Sequence, residues 1–438
     1  MSLSIIRGSF LDFVNDPFYH SQSESVRYLS DGLLVIENGK IIAFGDYENL
    51  KEQYIDAEII TYEDKLITPG LIDLHVHYPQ SEMIAAYGEQ LLEWLEKYTF
   101  PTEAKFKDKE YARKIASFFL DELLRNGTTT AVVLTTIFPQ SVEVLFTEAQ
   151  RRGMRIIAGQ MLMTRNAPDF LLNDAHTAYA QTREQIQQWH GLDRLLYAIT
   201  PRFAITSTPE ELSLAGKLKE EFSDVYVHTH LAENLQEVQF TAELFPESTD
   251  YLNVYERFGL VSDRTILAHC IQLDDSAFTR LSHAGAAIAF CPTSNLFLGS
   301  GLFKLDRAKS NEIPIKVGLA TDVGGGTSLS QLHTMRDAYQ IMQLQNKSLS
   351  IFEAFYLATL GAAKALSLED AIGSFDVAKE ADFVVWNLQA TPLMKLRNPV
   401  AKSENLEQLA EKAFAMMILG DERAVTATYV AGVGREFK

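Results

Sequence analysis

The chain of 438 residues is long enough for two or three domains with a large core, and its 47% hydrophobic and 22% charged composition is that of a globular protein, neither disordered nor fibrous. Lys and Arg number 39 against 58 Asp and Glu, a net charge of −19 that repels phosphate backbones and anionic lipid and so argues against nucleic-acid and membrane partners. The only two cysteines, Cys270 and Cys291, cannot build a disulfide framework, no run of about 18 apolar residues occurs, and the first residues lack a signal-peptide pattern, so a cytoplasmic location is expected.

Residues 1–66 are short apolar runs broken by turn residues, SIIRGSFLDF, GLLVIENGKIIAFG and AEIITYEDKLI, and read as a small β unit. Asn38-Gly39 marks a hairpin within it, because both central residues of a type I′ turn need positive φ. From 67 to 370 the pattern changes. Strand-like runs (TTAVVLT, MRIIAG, LLYAITP, VYVHTHL, RTILAHC, AAIAFCP, IKVGLATD) alternate with amphipathic stretches such as YARKIASFFLDELLRNG and STPEELSLAGKLKEEF, which predicts an α/β protein built as a (β/α)8 TIM barrel. Residues 371–438 return to β character in SFDVAKEADFVVWN and ERAVTATYVAGVGREF. The two terminal segments are therefore expected to form one small β-sandwich domain with the barrel inserted between them. The stretch LLEWLEKYTFPTE reads as an amphipathic helix ending at its proline.

Chemistry-bearing residues gather at the carboxyl ends of the strand-like runs. His75 and His77 close LIDLHVHY two residues apart, so period-two geometry puts both on one face, within reach of a single metal ion. His230 closes VYVHTHL, His269 closes RTILAHC and Asp322 closes IPIKVGLATD, and in a barrel the carboxyl ends of the strands converge on the active site. His20, His176, His190, His283 and His333 fall in helices or loops without a ligand partner at useful spacing. Two apparent motifs fail: Gly324–Ser328 lacks the GxxxxGK[ST] of a phosphate cradle, and Cys291-Pro292 lacks the second cysteine and the H-x-E that go with a P-C-x-x-C zinc site.

Taken together, HVHYPQ, LLEWLEKYTFPTE, PRFAITS, HTHLAEN, CPTSNLFLGSGLF and ATDVGGGTS resemble the amidohydrolase superfamily, and within it the members that deaminate guanine. HVH and TD are generic to the superfamily; LLEWLEKYTFPTE and Arg202-Phe203 are much more specific. The resemblance implies one Zn2+ per chain, iron not being excluded, held by His75, His77, His230 and Asp322, with no bridging lysine and hence a single ion. It implies Glu233, His269 and Asp322 as the proton-handling catalytic residues, with Glu233 three residues beyond His230. His77, Gln80, Arg202, Phe203, His230, Glu233 and Asp322 would contact the substrate; the Arg fork matches the O6 and N7 acceptors of guanine, and an aromatic ring suits a purine face. His228, which makes a second H-x-H with His230, departs from the pattern and is expected to be a core or supporting group. The expected reaction is guanine to xanthine and ammonia, by a homodimer whose LLEWLEKYTFPTE stretch covers the site or builds the subunit contact. Deamination of another purine, pyrimidine or triazine is the alternative, and a metal-free assembly protein is the alternative of a different class.

Overall fold

The apolar runs between 71 and 319 fold as eight parallel strands: β1 (Leu71–His77), β2 (Thr128–Leu134), β3 (Arg155–Gly159), β4 (Leu195–Pro201), β5 (Tyr226–Leu231), β6 (Thr265–His269), β7 (Ala287–Phe290) and β8 (Lys316–Leu319). The structure is a computed structural model that describes residues 3–55, 57–87 and 91–436. Their order in the sheet follows the chain from β1 to β8, a two-residue strand at Met161–Leu162 adding to β4. Residues of β1, β2, β3 and β6 are buried throughout, as expected for parallel strands covered on both faces, which is why these runs are nearly all apolar and do not alternate. Beyond β8 the chain bonds back to β1: Asp322 N–H donates to His75 O at 2.9 Å and His77 N–H to Val323 O at 2.8 Å. The first and last strands thus meet at the carboxyl end and nearly close a barrel.

Helices fill the connections, and their caps are legible in the sequence. Pro209–Glu221 starts on Thr208, whose hydroxyl accepts from Glu211 N–H, with Pro209 in the first turn, where no N–H is needed. Asp275–Ala284 starts on Asp274 and stops at Gly285, whose φ of 69° a side chain would resist.

LLEWLEKYTFPTE departs from expectation. The helix does not end at its proline: α-turns at Leu91–Trp94 and Phe100–Ala104 are joined by a π-turn over Leu95–Thr99. The wider turn bonds Phe100 N–H to Leu95 O, and Pro101 then sits in the first turn of the next helical piece, where its missing N–H costs nothing.

The terminal segments form one seven-stranded mixed sheet in the order Val433–Glu436, Val425–Val430, Phe383–Trp386, Ile59–Pro69, Leu3–Phe13, Val26–Glu37, Lys40–Asp46. Leu3–Phe13 and Ile59–Pro69 run parallel and the other pairs antiparallel. Asn38 and Gly39, at φ 52° and 77°, make the hairpin turn, with Glu37 opposite Lys40. One face of the sheet packs Ile6, Phe10, Leu34, Ile36 and Phe383, and a second, smaller apolar cluster holds Ile5, Leu33 and Val35. By packing, the chain divides into two compact units: one runs up to Ile72 and takes Glu122–Thr129 and everything from Ser330; the other takes Asp73–Asp121 and Thr130–Leu329, and the candidate site lies wholly within it.

Candidate active site

Ligand atoms of His75, His230, His269 and Asp322 all lie within 4.8 Å of one another at the carboxyl ends of the strands. His75 and His77 come from β1, His230 from the last turn of pleat of β5, and His269 is the final residue of β6. Asp322 does not end its strand as the sequence suggested. β8 stops at Leu319, and Asp322 stands three residues on, at φ 48°, anchored by its N–H on His75 O. His269 is likewise left-handed, at φ 70°, so both side chains leave the strand direction where the chain turns sharply into a loop. His75 Nε2 is 3.1 Å and His77 Nε2 3.4 Å from Asp322 Oδ1, and His77 Nε2 is 3.2 Å from His230 Nε2. The four-residue group thus contains His269, which the sequence placed among the proton carriers, and leaves out His77, which the sequence placed among the ligands and which stands beside the group against Asp322 and His230.

The outer ring nitrogens fix how these imidazoles are used. His230 Nδ1 donates to Arg202 O at 2.6 Å and His269 Nδ1 to Asn295 Oδ1 at 3.0 Å; both acceptors are oxygens, so each ring in its neutral form turns a bare Nε2 inward. His75 Nδ1 lies 2.7 Å from His228 Nε2, which gives His228 the supporting position rather than a place in the cluster. The inward Nε2 atoms of His75 and His269 are buried with no hydrogen-bond partner. Unpartnered nitrogens converging with one carboxylate are what a divalent ion needs, so the residues fit a metal.

Electrostatics point the same way. Burial lowers His75 to about 4 despite Asp322, and burial with the neighbouring His75 and His77 holds His230 well below the usual histidine range. Asp322, for all its burial, is held well below the usual carboxylate range by the facing imidazoles. The donor set is thus neutral rings and an ionised carboxylate. Glu233 behaves differently: burial pushes it up to about 7 against the pull of His269. Its Oε1 accepts from Ser300 Oγ at 2.8 Å, its Oε2 is 3.5 Å from His269 Nε2, and its backbone N–H is held by Glu237 Oε2 at 2.8 Å. A fixed carboxyl group whose proton is exchangeable near neutrality suits acid–base work. His269 is drawn down by burial, but Glu233 and Asp322 outweigh that and raise it.

Across the cavity stand Arg202, Phe203 and Gln80. Arg202 and Phe203 follow β4; Gln80 follows β1. Arg202 Nη1 donates to Glu103 Oε2 at 2.7 Å, Gln80 Nε2 donates to Glu103 Oε1 at 3.1 Å, and Gly324 N–H donates to Gln80 Oε1 at 3.1 Å. Trp94, Leu95, Phe203 and Leu298 supply apolar walls. Apolar walls closing on two polar ends suit a single heterocycle, not a polymer. The glycine-rich loop earns its composition from crowding: a Cβ on Gly326 would lie 1.7 Å from Thr321 O.

Sequence reasoning missed Glu103, Asn295, Ser300 and Asp73. Asp73 is buried, pushed up to about 7 by that burial, and bonded to Thr321 N–H at 3.0 Å, which steadies the chain just before Asp322. Glu237 had a readable signal, the Asn234-x-x-Glu237 capping box that opens helix Leu235–Leu244. Among the described residues, none of His20, His176, His190, His283 and His333 joins the cluster.

The amidohydrolase family description matches residues 66–433. A guanine deaminase of Escherichia coli is 51% identical over 435 residues, covering 98% of this chain and 97% of that one. The structure of guanine deaminase from Bradyrhizobium japonicum matches with a TM-score of 0.97 at 40% identity, covering 100% of both chains. That from C. acetobutylicum, with guanine bound in its active site, matches with a TM-score of 0.88 at 29% identity over 100% of both.

Proposed function

The chain belongs to the amidohydrolase family, and from its site we infer that it is a guanine deaminase, hydrolysing guanine to xanthine and ammonia. One observation carries the reading: a single cavity sets a cluster of metal donors and a near-neutral carboxyl group against an Arg202–Gln80 edge, between flat apolar walls. His75, His77, His230 and Asp322 would hold the divalent ion, zinc by its nitrogen-rich donor set, with iron compatible. When bound there, the ion lowers the pKa of a water to about 7 and supplies hydroxide at neutral pH.

The chain's own residues do the rest. Glu233 takes a proton from the attacking water and gives it to the ring nitrogen beside C2 as that carbon becomes tetrahedral. Ser300, bonded to Oε1, leaves the Oε2 side of Glu233 toward His269. His269 and Asp322 orient the water and pass its second proton to the amine, which departs as ammonia. Arg202 donates to guanine O6, Gln80 meets another edge of the ring, and Phe203 packs on its face. A homodimer in a reducing, cytoplasmic setting completes the proposal. Two free, buried cysteines support the reducing setting, and the dimer rests on the resemblance to the family.

The test is ammonia release by the purified protein from guanine, adenine, cytosine and an aminotriazine, with bound metal measured on the same sample. Guanine should lead adenine by a factor on the order of 10⁴, because adenine seated in the same way has no amine at C2 to lose and sets an amine, not a carbonyl, against the buried donors. A protein that prefers another ring overturns the substrate, and one fully active without metal overturns the donor set.

A further inference from the structure

Behind the reading edge of the cavity lies a carboxylate that does not line it. Glu103 is 1% exposed and sits in Phe100–Ala104, the end of the helical segment whose Leu91, Trp94 and Leu95 wall the cavity. Each of its oxygens serves a different residue of the edge: Oε2 accepts from Arg202 Nη1, Oε1 from Gln80 Nε2. A carboxylate paired with a guanidinium only accepts, and the Gly324 N–H that meets Gln80 Oε1 only donates. Two neighbours of opposite kind therefore fix which way the Gln80 amide faces. Gln80 keeps one N–H and one oxygen lone pair for a ligand, and Arg202 keeps the remaining arms of its fork.

We propose that Glu103 is a positioning residue that sets the enzyme's specificity for a purine carrying a carbonyl at C6, by holding Arg202 and Gln80 in one register. The proposal rests on the guanine deaminase reading. A buried ion pair is a poor way to gain stability, since apolar side chains of like volume do as well or better in such places. Around this one lie Phe100, Met161 and Met163, all buried, with the guanidinium 5.6 Å from the Phe100 ring centre. What the carboxylate adds there is direction. It also balances a guanidinium that shares a small cavity with a cation site, a charge that would otherwise be driven away from the metal end.

Glu103→Gln separates these roles. The amide is nearly isosteric, but its NH2 must face a donor whichever way it turns, so one of the two bonds is lost. Guanine and 2,6-diaminopurine carry the same reacting amine at C2 and differ at C6. Wild-type enzyme should favour guanine strongly. In metal-loaded Glu103→Gln, kcat/KM for guanine should fall about 10- to 100-fold, the worth of a charged hydrogen bond, while 2,6-diaminopurine changes little, so the selectivity ratio falls by a similar factor. Glu103→Asp, which keeps the charge but retracts it by one methylene, should recover part of the ratio, and it decides the matter if the glutamine variant does not fold. Equal losses for both substrates, or no loss, overturn the assignment and leave a structural ion pair. A wild-type protein that ignores guanine overturns the deaminase reading and this inference together; a selective wild type with an unchanged ratio in both variants overturns this inference alone.

Discussion

The two ends of the cavity are built from different material. At the metal end, His75, His77, His230 and His269 stand on strands of one sheet, and His75, His230 and His269 each have an outer nitrogen held by a partner on the scaffold. At the reading end, Gln80, Arg202 and Glu103 stand on segments that follow strands or cover the site, and they hold one another. Strands fix the histidines, and Asp322, on the loop beyond β8, is tied to β1 by its N–H on His75 O, whereas the freer loops allow the reading edge to be retuned without touching the chemistry. Changes at the metal end should therefore abolish the reaction, and changes at the reading end should alter which ring is accepted.

The largest effect is expected at His75. His75→Ala removes the inward nitrogen that lies 3.1 Å from Asp322 Oδ1. Elemental analysis should find no bound ion where wild type carries about one equivalent, and turnover should be undetectable. An alanine variant that keeps both ion and activity would remove His75 from the donor set. Next comes Glu233. Glu233→Gln should keep metal, fold and most of the substrate affinity, while kcat falls by about 10² to 10⁴, the usual worth of a positioned acid–base group. Near wild-type kcat would sink the proton role, and loss of metal would make Glu233 a ligand.

These two residues also mark how far the sequence could be read. The barrel was legible because parallel strands buried on both faces leave unbroken apolar runs, and chemistry-bearing residues at their carboxyl ends stand out against them. The hairpin at Asn38-Gly39 was legible because few residue pairs accept positive φ twice. Glu103 was not. In LLEWLEKYTFPTE it looks like Glu93 or Glu96, both solvent-side candidates, and only the π-turn that carries the helix past Pro101 brings it beneath Arg202. Asn295 and Ser300 were hidden for a similar reason, since they reach His269 and Glu233 across the fold from the stretch after β7. Periodicity locates faces of elements; it does not locate the partners that loops bring in.

Arg202 tests the reading end directly. Arg202→Ala should retain the ion and lower kcat/KM for guanine at least tenfold, because losing a hydrogen bond from a charged donor costs about 1.5 to 3 kcal/mol. The same change strands Glu103 in the interior, so a loss of thermal stability should accompany it. The double variant Arg202→Ala, Glu103→Ala removes that stranded charge and should recover stability but not guanine turnover. A smaller kinetic loss than this would mean that Arg202 serves the fold and not the substrate.

The smallest effect on turnover belongs to His228, and it shows how the metal end is graded. If His75 binds the ion through Nε2, its Nδ1 carries the proton and needs an acceptor, and His228 Nε2 is the atom in place at 2.7 Å. That contact fixes the ring's orientation and its donor strength without touching the ion. His228→Ala should therefore weaken metal binding about 10- to 100-fold, the usual cost of removing such a supporting partner. At saturating metal, kcat should stay close to wild type, since no reacting group has moved. His228→Gln can offer an amide oxygen to the same N–H and should restore part of the affinity. The measurement is a competition titration against a chelator, with kcat taken at excess metal. Unchanged affinity in the alanine variant would reduce His228 to packing. A kcat that stays low at saturating metal would instead place His228 in the reaction itself, and the sharp division between groups that hold the ion and groups that move protons would fail at the strand where it was drawn most firmly.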